Sequence, residues 1–375
     1  MPPGDRRSSR RAASRRRGNP VWVPVTAAAG AIMIIIGLIM YLGGGDGTSA
    51  TSAARTAAAG ATASAAASHG DSGGSRAPSP SPVLVSGCMT GKSIAAGSSQ
   101  QSLTVAGVAR TYQLAVPAPD TRAKALPLVV GFHAFGENAS ALERYAHLAE
   151  IGTKSGFVIV VPDGANGRWN FMRRVAIGPD DVAFVSAIVN DLTARMCLDP
   201  RRMFATGLGD GADMAVTAAC ALTGTFTAVV PVASAVMPAS CPAPAPSLFA
   251  ISGTSDPVTP LEGGGTDRPA PFDGTQAQPM RVRLDRYAGF VGCSPANSWV
   301  RDTSSIQRLV YTACPNGRDV GLLAVQGGGH SWPDPDADPP KGVQRAQFSA
   351  TRVALAYFQG HAAPAPATQP PGATG

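Results

Sequence analysis

The chain is short of the residues that do chemistry, and it lacks the clusters that usually announce it. Its six cysteines contain no C-x-x-C pair, which speaks against a zinc cluster or a thioredoxin-type redox site. There are five histidines in 375 residues, and only His133, His147 and His330 fall in the part that reads as folded. Neither glycine triplet, at 263–265 or 327–329, continues into G-K-[ST], so neither is a phosphate loop. Charged residues make up only 15% of the chain. The net charge of +7 looks basic until it is located: residues 1–20 hold seven arginines against the single acid Asp5, so +6 of it belongs to that tail. The rest is close to neutral, and no nucleic-acid partner is expected. No internal repeat is present.

Charge is also missing from the 24 residues 21–44, "VWVPVTAAAGAIMIIIGLIMYLGG". As a helix this run would be about 36 Å long, enough to cross a bilayer. Arginines before it and none just after predict a cytoplasmic N-terminus. The competing reading is a cleaved signal peptide, given the small residues of "TSAARTAAAG". The run is longer than a usual signal core, which favours a retained anchor. We therefore expect a basic cytoplasmic tail (1–20), a single-pass signal-anchor (21–44) and an extracytoplasmic remainder, secreted if the anchor is cut. All six cysteines (Cys88, Cys197, Cys220, Cys241, Cys293, Cys314) lie beyond the run, and an even count in an exported region predicts disulfides. Local spacing favours Cys220–Cys241 and Cys293–Cys314 and leaves Cys88–Cys197, one of the fifteen pairings that six cysteines allow.

Residues 45–82 are Gly, Ala, Ser and Thr closing with "APSPSP", a composition that reads as a linker. Residues 360–375 are Ala/Pro-rich and are expected to be disordered. One domain, 83–359, lies between. "SLTVAGVARTYQLAVP" reads as two strands around a glycine turn. "LPLVVGFH" and "FVIVVPD" are continuous apolar runs, as in strands covered on both faces, and a helix is expected between them from Ala139 to about Ser155. "DDVAFVSAIVNDLTARM" has helical spacing behind an acidic start. Then come "RMFATGL" (strand), "GADMAVTAACAL" (helix), "TAVVPVAS", "SLFAISGT" and "VGLLAVQGG" (strands) and "QRAQFSATRVALAYF" (helix). Strands alternating with helices predict an α/β fold with a doubly wound, mostly parallel sheet.

In such sheets the chemistry gathers at the C-terminal strand ends. One strand ends in His133-Ala134-Phe135-Gly136, a second in Gly207-Leu208-Gly209-Asp210-Gly211, a third in "SDP" with Asp256, a fourth in "GGGHSWP" with His330. A glycine-rich strand-to-helix turn, then Asp, then His is the triad order of α/β-hydrolases, whose elbow reads G-x-S-x-G. Here the serine is absent.

The segments "LPLVVGFHAFGENAS", "GFVIVVPDG", "RWNF", "DDVAFVSAIVNDL", "CLDPRRMFATGL", "FTAVVPVAS", "ISGTSDPVTP", "VGC" and "GGGHSWP" together resemble the exported polyhydroxybutyrate depolymerase-like and feruloyl esterase-like proteins. The resemblance implies an α/β-hydrolase fold acting on carboxylic esters, with no cofactor and no metal. It implies Asp256 as the acid that orients the imidazole, His330 as general base, and the N–H groups of Asp210 and the Ala134–Phe135 turn as the oxyanion hole. The nucleophile position falls on Gly209, where these enzymes carry serine. Ala134 stands where the family has glycine, which puts the geometry of the hole in question.

Three readings of the elbow follow: a degenerate esterase with lost or weak turnover; an aspartate nucleophile at Asp210, one position late; or rescue by water activated by His330–Asp256, or by Ser234 or Ser331. A non-catalytic envelope domain binding an acyl, aromatic or glycan ligand is the alternative outside enzymology. Asp210 and Asp213 are expected to complement the N-terminus of the following helix, or Asp213 to face solvent. Asp180 and Asp181 read as a helix start rather than a metal site. His133 is expected to brace the oxyanion loop, with a ligand role open. Trp169 and Trp332 read equally as cleft lining or core, and His147 as a surface helix residue.

Overall fold

The computed structural model describes residues 86–118, 125–176, 178–265, 268, 275–295, 298–336 and 345–363. The expected basic tail, apolar run and linker lie outside them. Among the described residues no helix is long and apolar enough to cross a membrane.

Ten strands form one sheet, in the order β1-β2-β4-β3-β5-β6-β7-β10-β9-β8. The six central ones are parallel: β4 (Val158–Pro162), β3 (Leu126–Phe132), β5 (Leu198–Leu208), β6 (Ala228–Val232), β7 (Ser247–Gly253) and β10 (Val320–Val325). Antiparallel pairs close both edges. β1 (Gly97–Val105) and β2 (Val108–Val116) form a hairpin around Ala106-Gly107, both at positive φ, as a tight hairpin turn requires. On the far side lie β9 (Ile306–Val310) and β8 (Trp299–Arg301). The apolar runs that read as strands are buried along their full length: every residue of β3, β4, β6, β7 and β10 is buried. Alternate side chains go to opposite faces. Leu128, Val130 and Phe132 join one core, and Val129 joins the other.

Helices cover both faces. After α1 (Gly87–Thr90), α2 (Ala139–Ala146) and α3 (Leu148–Lys154) pack on one face with α7 (Ala350–Gly360). On the other face lie α4 (Asp181–Arg195), α5 (Asp210–Ala221) and α6 (Met280–Val291). This is the α/β-hydrolase arrangement.

Three expectations need correction, and one stretch carried none. The single helix from Ala139 is two, because His147 takes a left-handed conformation (φ 52°) and donates its N–H to Glu143, ending α2. His147 therefore sits at a break, half-exposed. The last helix starts only at Ala350, with Ser349 as its cap residue, so residues 345–349 of the expected helix precede it. The start of the stretch expected to be disordered, 360–375, is structured: Gly360 closes α7, and His361 packs on Tyr357 and bonds Asp319, while residues beyond 363 lie outside the described ones. The stretch 280–310, unassigned from sequence, supplies α6, β8 and β9.

The three disulfides are Cys88–Cys197, Cys220–Cys241 and Cys293–Cys314, as spacing favoured. The first ties α1 to the start of β5 across 109 residues; the other two each close 21. If their effect is mainly on the unfolded chain, replacing Cys88 and Cys197 by serine costs about 5 kcal/mol and replacing either short-loop pair about 3 kcal/mol. Denaturant unfolding of the serine pairs checks this; equal losses for long and short loops would contradict it.

Candidate active site

The strand order reverses between β3 and β5, so the loops leaving their C-terminal ends diverge and open a crevice. Phe132 pairs with Gly207 in register, which brings the His133–Gly136 turn against the glycine elbow. The contact is close. A Cβ on Gly207 would lie 2.8 Å from the Phe132 carbonyl oxygen, and one on Gly211 would lie 2.3 Å from the carbonyl oxygens of both Phe132 and His133. Only glycine fits at these two positions. Between them Gly209 has φ 60° and ψ −120°, a conformation costly for any residue with a side chain. Its N–H bonds the Val232 carbonyl and its own carbonyl accepts from Ala212 and Asp213, so the turn is fully tied down.

His330 follows β10 and Asp256 follows β7, on neighbouring strands. His330 Nδ1 lies 2.9 Å from Asp256 Oδ2. Asp256 Oδ1 accepts the N–H groups of Val258 (2.8 Å) and Thr259 (2.9 Å). The Thr259 hydroxyl donates to the Ala233 carbonyl and stands 3.0 Å from Asp256 Oδ2. Burial alone would raise the Asp256 carboxyl, but the His330 bond and charge and the two N–H donors outweigh it and hold it below the usual range. An ionised Asp256 fixes the imidazole with its proton on Nδ1 and leaves Nε2 as the basic nitrogen. Nε2 points at the elbow: a Cβ on Gly209 would stand 2.9 Å from it. The ring thus occupies part of the room a serine side chain would need. Thr259 was not singled out from sequence, though a threonine three residues after the acid in "SDPVT" is an Asx-turn signal.

The structure revises the oxyanion group. The Ala134 N–H donates to Glu137 Oε2 (3.2 Å), which also accepts the Tyr145 hydroxyl (2.7 Å). Ala134 is therefore not a free donor. Among the described residues the Phe135 N–H has no protein acceptor, and the Phe135 ring lies under the Arg168 guanidinium, 4.7 Å away. Asp210 opens α5. Its Oδ1 is buried without a partner. Burial first, then the Asp213 carboxylate, push the Asp210 carboxyl up to about 8, against the pull of the Gly211 and Asp210 N–H groups. It complements the helix start less than expected, because it holds a proton near neutrality.

Other expected site residues are scaffold. His133 is fully buried; Gly164 N–H donates to its Nε2 (2.9 Å), so its Nδ1 proton goes to the Ala134 carbonyl (2.8 Å). Burial keeps it from charging. It braces the loop and does not line a cleft. Trp169 is buried and donates to the His133 carbonyl, and Trp332 is buried and donates to Thr351, so neither lines an open cleft. Asp213 does not face solvent: it is buried and accepts from Ser234 Oγ and the Val236 N–H, each at 2.7 Å. That bond also takes Ser234 out of the nucleophile role. Asp180 caps α4 through the Ala183 N–H, and Asp181 is buried against Arg110 at 2.7 Å.

Residues 110–271 match the family model described as "Esterase PHB depolymerase". Feruloyl esterase B of Piromyces equi is 28% identical over 237 residues, covering 58% of this chain and 42% of that protein. Feruloyl esterase D of Neurospora crassa is 28% identical over 273 residues, covering 68% of this chain and 86% of that protein. The chain thus spans less than half of the first relative and most of the second. The structure of acetyl xylan esterase from Aspergillus awamori aligns with a TM-score of 0.47 at 15% identity, over 62% of this chain and 94% of that one.

Because the folded state keeps on Asp210 a proton that the unfolded chain releases near pH 4, stability falls as pH rises from about 4 to about 8. Asp210→Asn removes that part of the slope, so its stability relative to the parent chain rises across this window. Denaturation midpoints at pH 5 and pH 8 check it, and parallel profiles would contradict it.

Proposed function

We propose that this chain, whose residues 110–271 belong to the polyhydroxybutyrate depolymerase-like, feruloyl esterase-like family of α/β-hydrolases, is a membrane-anchored, extracytoplasmic member that binds carboxylic esters but lacks the acyl-enzyme step. Asp256 orients His330, and the Asp210 and Phe135 N–H groups face the ester carbonyl oxygen. The observation that carries the reading is the backbone at Gly209: it keeps the strained elbow geometry and aims at His330 Nε2, with no atom able to attack. A protonated Asp210 keeps a negative charge away from the hole, where it would oppose an oxyanion, and a neutral carboxyl is a poor nucleophile. The ligand is an ester of an acyl or aromatic acid, in line with relatives named feruloyl esterases. A second reading, slow hydrolysis by water, is favoured by the unprotonated Nε2 of His330, which can take a proton from water as it would from serine.

The uncharged run 21–44 behind seven arginines supports the anchor. Alkaline extraction of membranes should leave the chain in the pellet; release of an N-terminally cut chain would overturn the anchor.

Restoring the missing atom tests the site. Serine at 209 must push the imidazole back by a few tenths of an ångström and adopt a strained backbone, costing about 1–3 kcal/mol of stability. In return, Gly209→Ser in the full chain should raise p-nitrophenyl ester turnover by about a hundredfold or more. A second change, His330→Ala, should abolish the gain. Fast turnover by the unmodified chain that His330→Ala removes would contradict the proposal.

A further inference from the structure

A cavity of about 100 Å³ opens where β6, β7 and β10 begin, opposite the strand ends that carry the elbow, Asp256 and His330. An apolar cavity of about 150 Å³ holds benzene, so this one suits a molecule of about six heavy atoms or fewer. Phe226, Pro244 and Pro246 give it apolar walls. The C-terminal chain lines another side, tied down by the Ala363 N–H, which donates to the Arg201 carbonyl (2.8 Å). Asn316 and Gly317, both in left-handed conformation (φ 60° and 66°), turn the chain so that the half-buried Arg318 reaches the cavity.

Among the described residues no acid lines the cavity. The acid next to it is Asp319, and both its oxygens are engaged: Oδ1 accepts the Tyr357 hydroxyl, and Oδ2 lies 3.0 Å from His361 Nε2. His361 does line the cavity, and its Nδ1 lies 2.6 Å from the Tyr357 carbonyl oxygen. A carbonyl and a carboxylate only accept, so both ring nitrogens donate and His361 is an imidazolium matched by Asp319. Burial opposes that charge, but the bond to Asp319 and its negative charge outweigh it and raise His361 above its ordinary value. Arg318 has no such match. Among the described residues no carboxylate pairs with it, so the cavity carries one net positive charge beside apolar walls.

We propose that this cavity binds a short-chain carboxylate, with the Arg318 guanidinium on the carboxylate and the hydrocarbon end against Phe226, Pro244 and Pro246. A planar guanidinium matches a carboxylate with two parallel hydrogen bonds, and a single net positive charge suits a monoanion. Apolar walls with a few polar groups that fix orientation are the usual make-up of a small-molecule site. The site is separate from the elbow and does not depend on whether the elbow turns over esters.

The test is thermal stabilisation of the full chain by butyrate, its uncharged counterpart butyramide, and inorganic phosphate, at constant ionic strength. The chains compared are the parent, Arg318→Gln, Arg318→Lys and His330→Ala. Butyrate should stabilise the parent saturably, and butyramide at the same concentration should not. The half-effect concentration of butyrate should rise about tenfold or more in Arg318→Gln, rise less in Arg318→Lys, and stay at the parent's value in His330→Ala. Butyramide acting as butyrate does, or phosphate matching butyrate, overturns the carboxylate. No saturable stabilisation of the parent, or equal midpoints in the parent and Arg318→Gln, overturns the site. A midpoint moved by His330→Ala and not by Arg318→Gln would put the carboxylate at the elbow and likewise overturn the proposal. Should Arg318→Gln not fold, Arg318→Lys decides: a butyrate midpoint equal to the parent's overturns it.

Discussion

The site depends on one close approach: the elbow after β5 lies against the carbonyls that end β3. Gly207 and Gly211 are forced by that contact, since a methyl group at either would enter the Phe132 backbone. With both ends pinned, the residue between them has no freedom, and Gly209 is held at positive φ with its vacant side-chain direction toward His330. The same contact brings the His133–Gly136 turn beside the elbow and sets His133 and Trp169 under it as braces. Packing therefore fixes the elbow geometry whatever residue stands at its centre, and here that residue is glycine.

Two consequences follow from filling that geometry differently. Glycine holds the elbow conformation without the strain that a side chain would carry, and the imidazole stands within 2.9 Å of where a Cβ would be. The next residue, Asp210, brings a carboxyl into a buried position beside Asp213, where ionisation is unfavourable. An esterase that must stabilise an oxyanion gains nothing from an acid there. A domain that only binds can tolerate it, provided the acid stays protonated.

Much of this was legible in the sequence. The continuous apolar runs of β3, β4, β6, β7 and β10 read directly as doubly covered strands, and Asp256 and His330 stood out as polar residues just past strand ends. Local spacing favoured, among fifteen possible pairings, the disulfides that the structure holds. What was missed has physical reasons. The stripe of α6 was hidden because Arg283 interrupts it, and a charged residue is not expected on a buried face. The break at His147 depends on a left-handed residue that no local pattern marks. Trp169 and Trp332 sit in loops at the right edge, but which way a tryptophan points is decided by partners distant in sequence, the His133 carbonyl and Thr351. The capture of the Ala134 N–H by Glu137 likewise needs the folded turn.

The central claim is that the elbow holds no covalent nucleophile. An alkyl fluorophosphonate reacts with an activated serine hydrolase nucleophile and adds its phosphonyl group to the protein mass. Intact-protein mass spectrometry of the folded chain after such treatment should show no adduct. An adduct that forms on the native chain, disappears when His330 is replaced by alanine, and maps to Asp210, Ser331 or any other residue beside the elbow would contradict the account.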